Sequence, residues 1–353
     1  MSKMLEEIRE QPLALERSLA GGLRTAARLA QAIRSRRPNL ILLAARGTSD
    51  NAAQFGRYLL ELTTGLPVSL AAPSIFTLYG ATVNLSGVLC VAISQSGEST
   101  DTNLVLERAR GQGALTVGIT NESKSTLANL ADHVFLVRAG RERSVAATKT
   151  FCGQLLMLYL LAHALGARIR SDDLRRLPEW TASALELEAK VTARAERYRF
   201  MERAVVVGRG LNYANAFEFA LKLMETCYVV AERFSTADFL HGPIAMVDRS
   251  FPVFLFAPAG VTWPGMHDML VRLAELKAET LIVTDAGHRE AIDAHPNALV
   301  LPLKLSRRSI RPEELYTPIP YIVPAQLFAA TLAEWKGLDP DRPRTISKVT
   351  RTL

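Results

Sequence analysis

The chain has only three cysteines in 353 residues, Cys90, Cys152 and Cys227. They are too few and too scattered for a disulfide framework, and no CxxC pair or histidine at zinc-ligand spacing accompanies them. Each lies in an apolar run, so all three are expected to be buried, reduced thiols of a cytoplasmic protein, with no metal or redox role. Long hydrophobic runs are also missing. The most apolar helical stretch, 155–165, contains His163 and falls well short of the ~20 residues that span a bilayer, so it reads as a buried helix and no membrane association is expected. The opening MSKMLEEIREQPLALERSL mixes both charge signs around short apolar pieces, which excludes a signal peptide. Nucleotide fingerprints are incomplete. Gly208-Arg209-Gly210 begins G-x-G-x-x-G, but Tyr213 occupies the third glycine position; RGTS at 46–49 has Ala45 where the first glycine belongs; neither turn carries a Walker A lysine. No nicotinamide, ATP or metal cofactor is expected.

What is present fits a globular α/β protein. Hydrophobic residues make up 48% and charged residues 22% of the chain, with mean hydropathy +0.10, enough apolar material for full cores. At about 150 residues per domain the length suggests two domains. The net charge of +7 suits an acidic small molecule, a membrane or nucleic acid; the basic residues are spread along the chain, so no nucleic-acid interface is expected. The chain also repeats itself. LILLAARGTSDNAAQFGRYLLE at 40–61 returns as AVVVGRGLNYANAFEFALKLME at 204–225, with Arg46 and Arg209 in register 163 positions apart. Thr120 and Thr284, closing LTVGIT and TLIVT, keep that register to within one position. Strands alternating with helices in both halves predict two tandem, doubly wound parallel-sheet units of the flavodoxin or Rossmann-like αβα kind. The expected segments are an N-terminal helical stretch 1–35, a first domain 36–170, a helical linker 171–199, a second domain 200–337 and an extended tail 338–353.

Two regions could carry chemistry. The strand 87–93 runs into Ser94-Gln95-Ser96-Gly97-Glu98-Ser99-Thr100-Asp101-Thr102 ahead of a helix. In a parallel sheet that position offers free helix N–H groups to an anion. Hydroxyls can donate to phosphate, and Gly97 lets the backbone come close; the same residues could instead simply cap the helix. Thr48 and Ser49, at the end of the first strand, would face the same crevice. The matching second turn, 257–261, has no hydroxyl, so one phosphate site per chain is expected. On the helix after Tyr213, Glu218, Lys222 and Glu225 form one charged stripe, because residues four and seven apart fall within ~40° of each other. The stripe is either solvated or faces a cleft or interface; the rest of the helix is too apolar for a free surface. A carboxylate beside a lysine could move a proton between adjacent sugar carbons. His241, in a turn before Pro243, and Lys348, in the basic tail, read most simply as structural and solvated.

In this order, EIREQP, RGTS at 46–49, SQSGES at 94–99, SVAATKTF at 144–151, ALKLMET at 220–226, LHGP at 240–243, PIPYIVPAQL at 318–327 and the terminal SKVT resemble the sugar isomerase (SIS) superfamily. The likeness is closest to the isomerase half of the glucosamine-6-phosphate synthases and their shorter deaminase relatives, over nearly the whole chain. The resemblance implies that Ser94, Gln95, Ser96, Ser99 and Ser49 bind a sugar phosphate, with Thr48 and Val145 lining the pocket. It implies that Glu225 shuttles a proton between C1 and C2, supported by Glu218 and Lys222. By the same resemblance His241 assists ring opening, in the synthases within the neighbouring subunit's site, and Lys348 lies over the open-chain sugar as part of a lid. A homodimer with shared active sites follows. Because no cysteine precedes Cys90, a glutaminase nucleophile is missing and ammonia from glutamine is not expected. Ala147 and Leu240 depart from the synthase pattern, while GRGLNYA and LHGP look more like the deaminases. The expected activity is conversion of an amino sugar 6-phosphate, glucosamine 6-phosphate first, to fructose 6-phosphate and ammonia. Galactosamine 6-phosphate or a fructosamine 6-phosphate as substrate, and a non-catalytic sugar-phosphate sensor, are the alternatives.

Overall fold

Mostly apolar runs three to seven residues long form ten parallel strands, described in a computed structural model for residues 2–305 and 312–348. The first sheet contains β1 (Leu40–Ala44), β2 (Val68–Leu70), β3 (Val88–Ile93), β4 (Leu115–Thr120) and β5 (His133–Leu136), in spatial order β2-β1-β3-β4-β5. The second contains β6 (Arg203–Val207), β7 (Val230–Phe234), β8 (Pro252–Phe256), β9 (Glu279–Asp285) and β10 (Ala298–Leu301), in order β7-β6-β8-β9-β10. The two orders are the same, and both are flavodoxin-like. The internal repeat is therefore a repeat of topology. Helices flank each sheet in a three-layer α/β arrangement, which is why β3 and β4 are buried at every position and β3 reads as a continuous apolar run.

The strand order reverses between β1 and β3, and again between β6 and β8. At these switch points the loops diverge and leave a crevice at the carboxyl edge of the sheet. The first crevice is bordered by the helix Thr48–Thr64, which starts after Gly47 (φ +58) and stops at Gly65 (φ +73), and by the helix Thr100–Gly111. The second is bordered by Tyr213–Cys227 and Trp263–Glu275.

The chain forms two compact units, each discontinuous in sequence. The first comprises Glu10–Glu142, Ala147–Pro178 and the chain from Ile346 on; the second comprises the residues through Arg9, Arg143–Ala146 and Glu179–Thr345. In the first, the helix Gln11–Arg36 packs on Lys149–Ala164, in which every residue but His163 is buried. In the second, Tyr213–Cys227 packs on Pro318–Trp335, and Phe219, Phe254 and Phe328 meet edge to face with ring centroids 5.1–5.7 Å apart.

The structure revises several boundaries. The helical pattern at 4–35 is two helices, Lys3–Arg9 and Gln11–Arg36, interrupted just before Pro12, which has no N–H to continue a ladder. The two helices belong to different units, so 1–35 is not one segment. The 171–199 stretch consists of three helices, Ser171–Leu174, Leu177–Leu185 and Glu188–Glu196, and is shared between the units at Pro178. The tail divides after Thr345, and its residues 349–353 lie outside the described part. Helix 213–227 stops at Tyr228, held left-handed at φ +55, and the following valines enter β7. All three cysteines are free and buried; burial pushes the Cys90 and Cys227 thiols up to about 12. No described helix is long and apolar enough to cross a membrane.

Candidate active site

The turn after β3 is built around Gly97, at φ +69, where a Cβ would lie 2.1 Å from Ser125 Oγ; only glycine fits. The turn is organised by hydroxyls accepting backbone N–H groups. Ser94 Oγ accepts from Gly97 N–H (3.1 Å) and Ser96 Oγ from Glu98 N–H (3.2 Å). Gln95 holds the turn to β4 through its carbonyl, which accepts from Asn121 N–H (3.1 Å) and Thr120 Oγ1 (3.3 Å). Ser99 is the N-cap of Thr100–Gly111 and shares a 3.0 Å hydroxyl contact with Thr102. Across the switch point, Thr48 opens its helix and is half-buried, while Ser49 is 6% exposed. Ser49 Oγ accepts from Gln154 Nε2 at 2.9 Å. Gln154 is fully buried and its Oε1 has no partner among the described residues.

These bonds share a polarity. On Ser49, Ser94 and Ser96 an N–H occupies an acceptor lone pair, leaving the O–H as the group to offer. Proton donors at the starts of two helices suit an anion. Arg46 adds little net charge, because its Nε and Nη2 both donate to Oδ2 of buried Asp101, at 3.0 and 2.8 Å. The first unit thus presents hydroxyl donors beside two helix N-termini.

In the second unit the charged stripe is not solvated. Glu218 and Lys222 have fully buried side chains, and Glu225 is 23% exposed. Lys222 Nζ lies 2.5 Å from Glu225 Oε2 and 3.4 Å from Glu218 Oε1. One ammonium thus draws together two carboxylates, one buried and one reaching solvent, as a proton carrier with access to a substrate requires. His241 ends the short helix Thr236–Leu240 and is exposed, its N–H donating to Ala237 and Asp238 carbonyls. The apolar 244–247 segment after it is mostly unburied.

Val145 belongs to the Arg143–Ala146 segment and so to the second unit, whereas the serine turn belongs to the first. Lys348 belongs to the first unit, where its Nζ meets Glu142 Oε2 at 3.1 Å. Glu142 and Gln154 stand outside the residues that the sequence motifs single out. The second unit's turn, 257–260, contains no hydroxyl, as its sequence indicates. Buried Glu314 stands there instead, its Oε2 2.7 Å from where a Cβ on Gly260 would be. Burial pushes the Glu314 carboxyl up; its own N–H opposes this and Glu313 reinforces it. Among the described residues, no three His, Cys, Asp or Glu converge as metal ligands would.

A model of the SIS domain matches residues 35–164 and 199–302. The glutamine-fructose-6-phosphate aminotransferase (isomerizing) of Pyrococcus horikoshii is 35% identical over 98% of this chain and 57% of its own length. That of Aquifex aeolicus is 33% identical over the same shares. The chain therefore spans a little over half the length of these relatives. The C-terminal domain of glucosamine-fructose-6-phosphate aminotransferase from Francisella tularensis superposes with TM-score 0.86 at 28% identity, covering 97% of this chain and 98% of that one. Glucosamine-6-phosphate deaminase from Thermotoga maritima gives 0.79 at 22% identity over 99% and 100%, a likeness of fold alone.

Proposed function

Since the chain belongs to the SIS domain family, we propose that it is a phosphosugar isomerase that also releases ammonia, converting glucosamine 6-phosphate to fructose 6-phosphate. The names of the Pyrococcus and Aquifex relatives, which pair an amino group with fructose 6-phosphate, support this substrate class. The observation that carries the reading is Lys222, wholly buried between Glu218 and Glu225. Burying these charges costs several kcal/mol per ion before pairing, and a protein that only binds sugar phosphates gains nothing from them.

In this reading the hydroxyls of Ser49, Ser94, Ser96 and Ser99 hold the phosphate, the non-reacting end of the substrate, with Gln95, Thr48 and Val145 around it. His241 assists ring opening. Glu225 then takes the proton from C2 and returns it to C1 while a proton of the amine passes to the C1 oxygen, which converts the C2 amine into an imine and the aldehyde into a hydroxymethyl group; water adds at C2 and ammonia leaves. Lys222, itself held by Glu218, orients the Glu225 carboxylate, and Lys348 covers the open-chain sugar. The exposure of His241 suits a homodimer in which each chain lends this residue to its partner's site.

The test is to incubate the purified chain with glucosamine 6-phosphate and follow ammonium and fructose 6-phosphate together. Equal release of both is expected, and Glu225→Gln should slow it by about 10²- to 10⁴-fold, the usual worth of general acid-base catalysis. If neither product forms although the sugar phosphate raises the melting temperature, the chain binds this ligand without turning it over and the reading fails.

A further inference from the structure

Glu142 is fully buried, flanked in sequence by two exposed arginines, and assigned no role in the reading above. Its carboxylate is saturated with donors. Oε1 accepts from the N–H groups of Thr148 (2.8 Å) and Thr150 (3.2 Å), the N-cap and second residue of the helix Lys149–Ala164. Oε2 accepts from Thr150 Oγ1 (2.6 Å) and from Lys348 Nζ (3.1 Å). The backbone beside it is fixed as well, because buried Lys149 donates to the Arg141 carbonyl at 2.8 Å and to Glu10 at 2.6 Å. Burial pushes the Glu142 carboxyl up, but the Lys348 charge and the bonds from Thr150, Thr148 and Lys348 outweigh it, so the group stays below the ordinary carboxylate range.

We infer that Glu142 is the positioning residue for Lys348: a rigid, ionised carboxylate on the first unit that fixes where the tail's ammonium stands. Capping the helix would need only a neutral acceptor for the two N–H groups. A full charge in a site with no solvent exposure is explained by the cation it faces. Lys348 is 25% exposed, so one side of the ammonium is held while the side chain stays open to a small molecule. Its part in turnover rests on the function proposed above; the pairing does not.

Glu142→Gln separates the two roles, since the amide oxygen can still accept from Thr148 and Thr150 while the charge is gone. In the ligand-free full chain, acetic anhydride labelling read by mass spectrometry should modify Lys348 about tenfold faster in the variant, the scale of one lost hydrogen bond to a charged group. Exposed Lys124 is the internal control and should not change. Glu142→Asp, which keeps the charge but withdraws it by one methylene, should show a smaller rise and serves if the glutamine variant does not fold. An unchanged Lys348 rate in a folded variant overturns the inference. With glucosamine 6-phosphate, Glu142→Gln should lower kcat by about 100-fold, the cost of misplacing one group, with KM little changed, and should have no further effect in a Lys348→Met background. Additive losses would make Glu142 a structural cap only. A wild-type chain that shows no turnover defeats the proposed function and leaves the labelling result to decide this inference.

Discussion

The two units share a topology but not the contents of corresponding helices. Counting 163 positions back from Glu218, Lys222 and Glu225 leads to Phe55, Leu59 and Leu62. Phe55 and Leu59 are fully buried, and Phe55 meets Tyr159 edge to face with centroids 5.0 Å apart. The first unit therefore shows what this fold places at these positions when only packing matters, and the second puts a buried ion pair there. A second correspondence runs the other way. Ser49 and Gln154 become Asn212 and Thr317, and in both units an amide donates to a hydroxyl, at 2.9 and 2.7 Å. The bond persists while its ends are exchanged, so the hydroxyl of this pair stands at the switch point only in the first unit, the one proposed above to hold the phosphate. In the function proposed above, the two copies of one scaffold would divide two tasks, anion binding in the first unit and proton handling in the second.

The largest expected effect comes from making the second helix resemble the first. Lys222→Met alone leaves Glu218 buried without its ammonium and should cost about 3–5 kcal/mol in urea unfolding. Adding Glu218→Leu should bring stability back to the wild-type level or above, with ammonium release abolished in both. A single variant as stable as wild type would mean that these charges are not coupled. Next come the two switch-point glycines. Gly97→Ala and Gly260→Ala both force a Cβ into positive φ, +69 and +124, and into contact with Ser125 and Glu314 respectively. Each should lose about 1–3 kcal/mol, but only Gly97→Ala should abolish phosphate binding in calorimetry; equal loss in both would end the division of tasks. Gln154→Leu should be milder, raising KM by about fivefold, or ~1 kcal/mol for one hydrogen bond, at constant kcat.

The gentlest test uses pH. The folded-state pKa of Glu142 is lowered and that of Glu314 is raised from the same ordinary value of 4.5. Glu142 contributes stability that is present above 4.5 and lost as pH falls through its folded value. Glu314 contributes stability that is present below 4.5 and lost as pH rises through its folded value. Glutamine at 142 should therefore flatten the acid limb of a stability-pH curve, and glutamine at 314 the limb above 4.5. If either substitution moved the other's limb, the directions derived from burial and neighbours would be wrong.

The strand plan was legible because both copies keep the same apolar strands and small turns. The charged stripe was legible as a spacing, and the apolar remainder of its helix pointed away from a solvated face, but what covers it was not legible. That depended on the packing of Pro318–Trp335, about a hundred residues away, against Tyr213–Cys227. Gln154 left a signal, a lone amide in the run FCGQLLMLYLL, which only a polar partner makes tolerable. Glu142 left none: between Arg141 and Arg143 it looks like one more solvated charge, and its burial comes from the fold of the 141–150 segment and from a lysine 206 positions away. The unit boundaries were hidden for the same reason, since pairings between distant segments carry no local pattern.

The placement of the helix Lys3–Arg9 has a consequence for how the chain emerges during synthesis. Lys3 and Met4 donate their N–H groups to Asp341 at 2.7 and 2.8 Å, and Ser2 donates to Glu334 at 3.3 Å. At roughly 5–20 residues per second, the first helix leaves the ribosome tens of seconds before these partners exist. Meanwhile Met4 and Ile8, both 0% exposed in the finished protein, have no apolar surface to rest on. Glu10–Glu142 and Ala147–Pro178 can assemble in that interval, because nearly all of their unit has by then been made. The helix Lys3–Arg9 is therefore among the last parts to be fitted, and nascent chains stalled before residue 334 should bind hydrophobic-segment chaperones through residues 2–9.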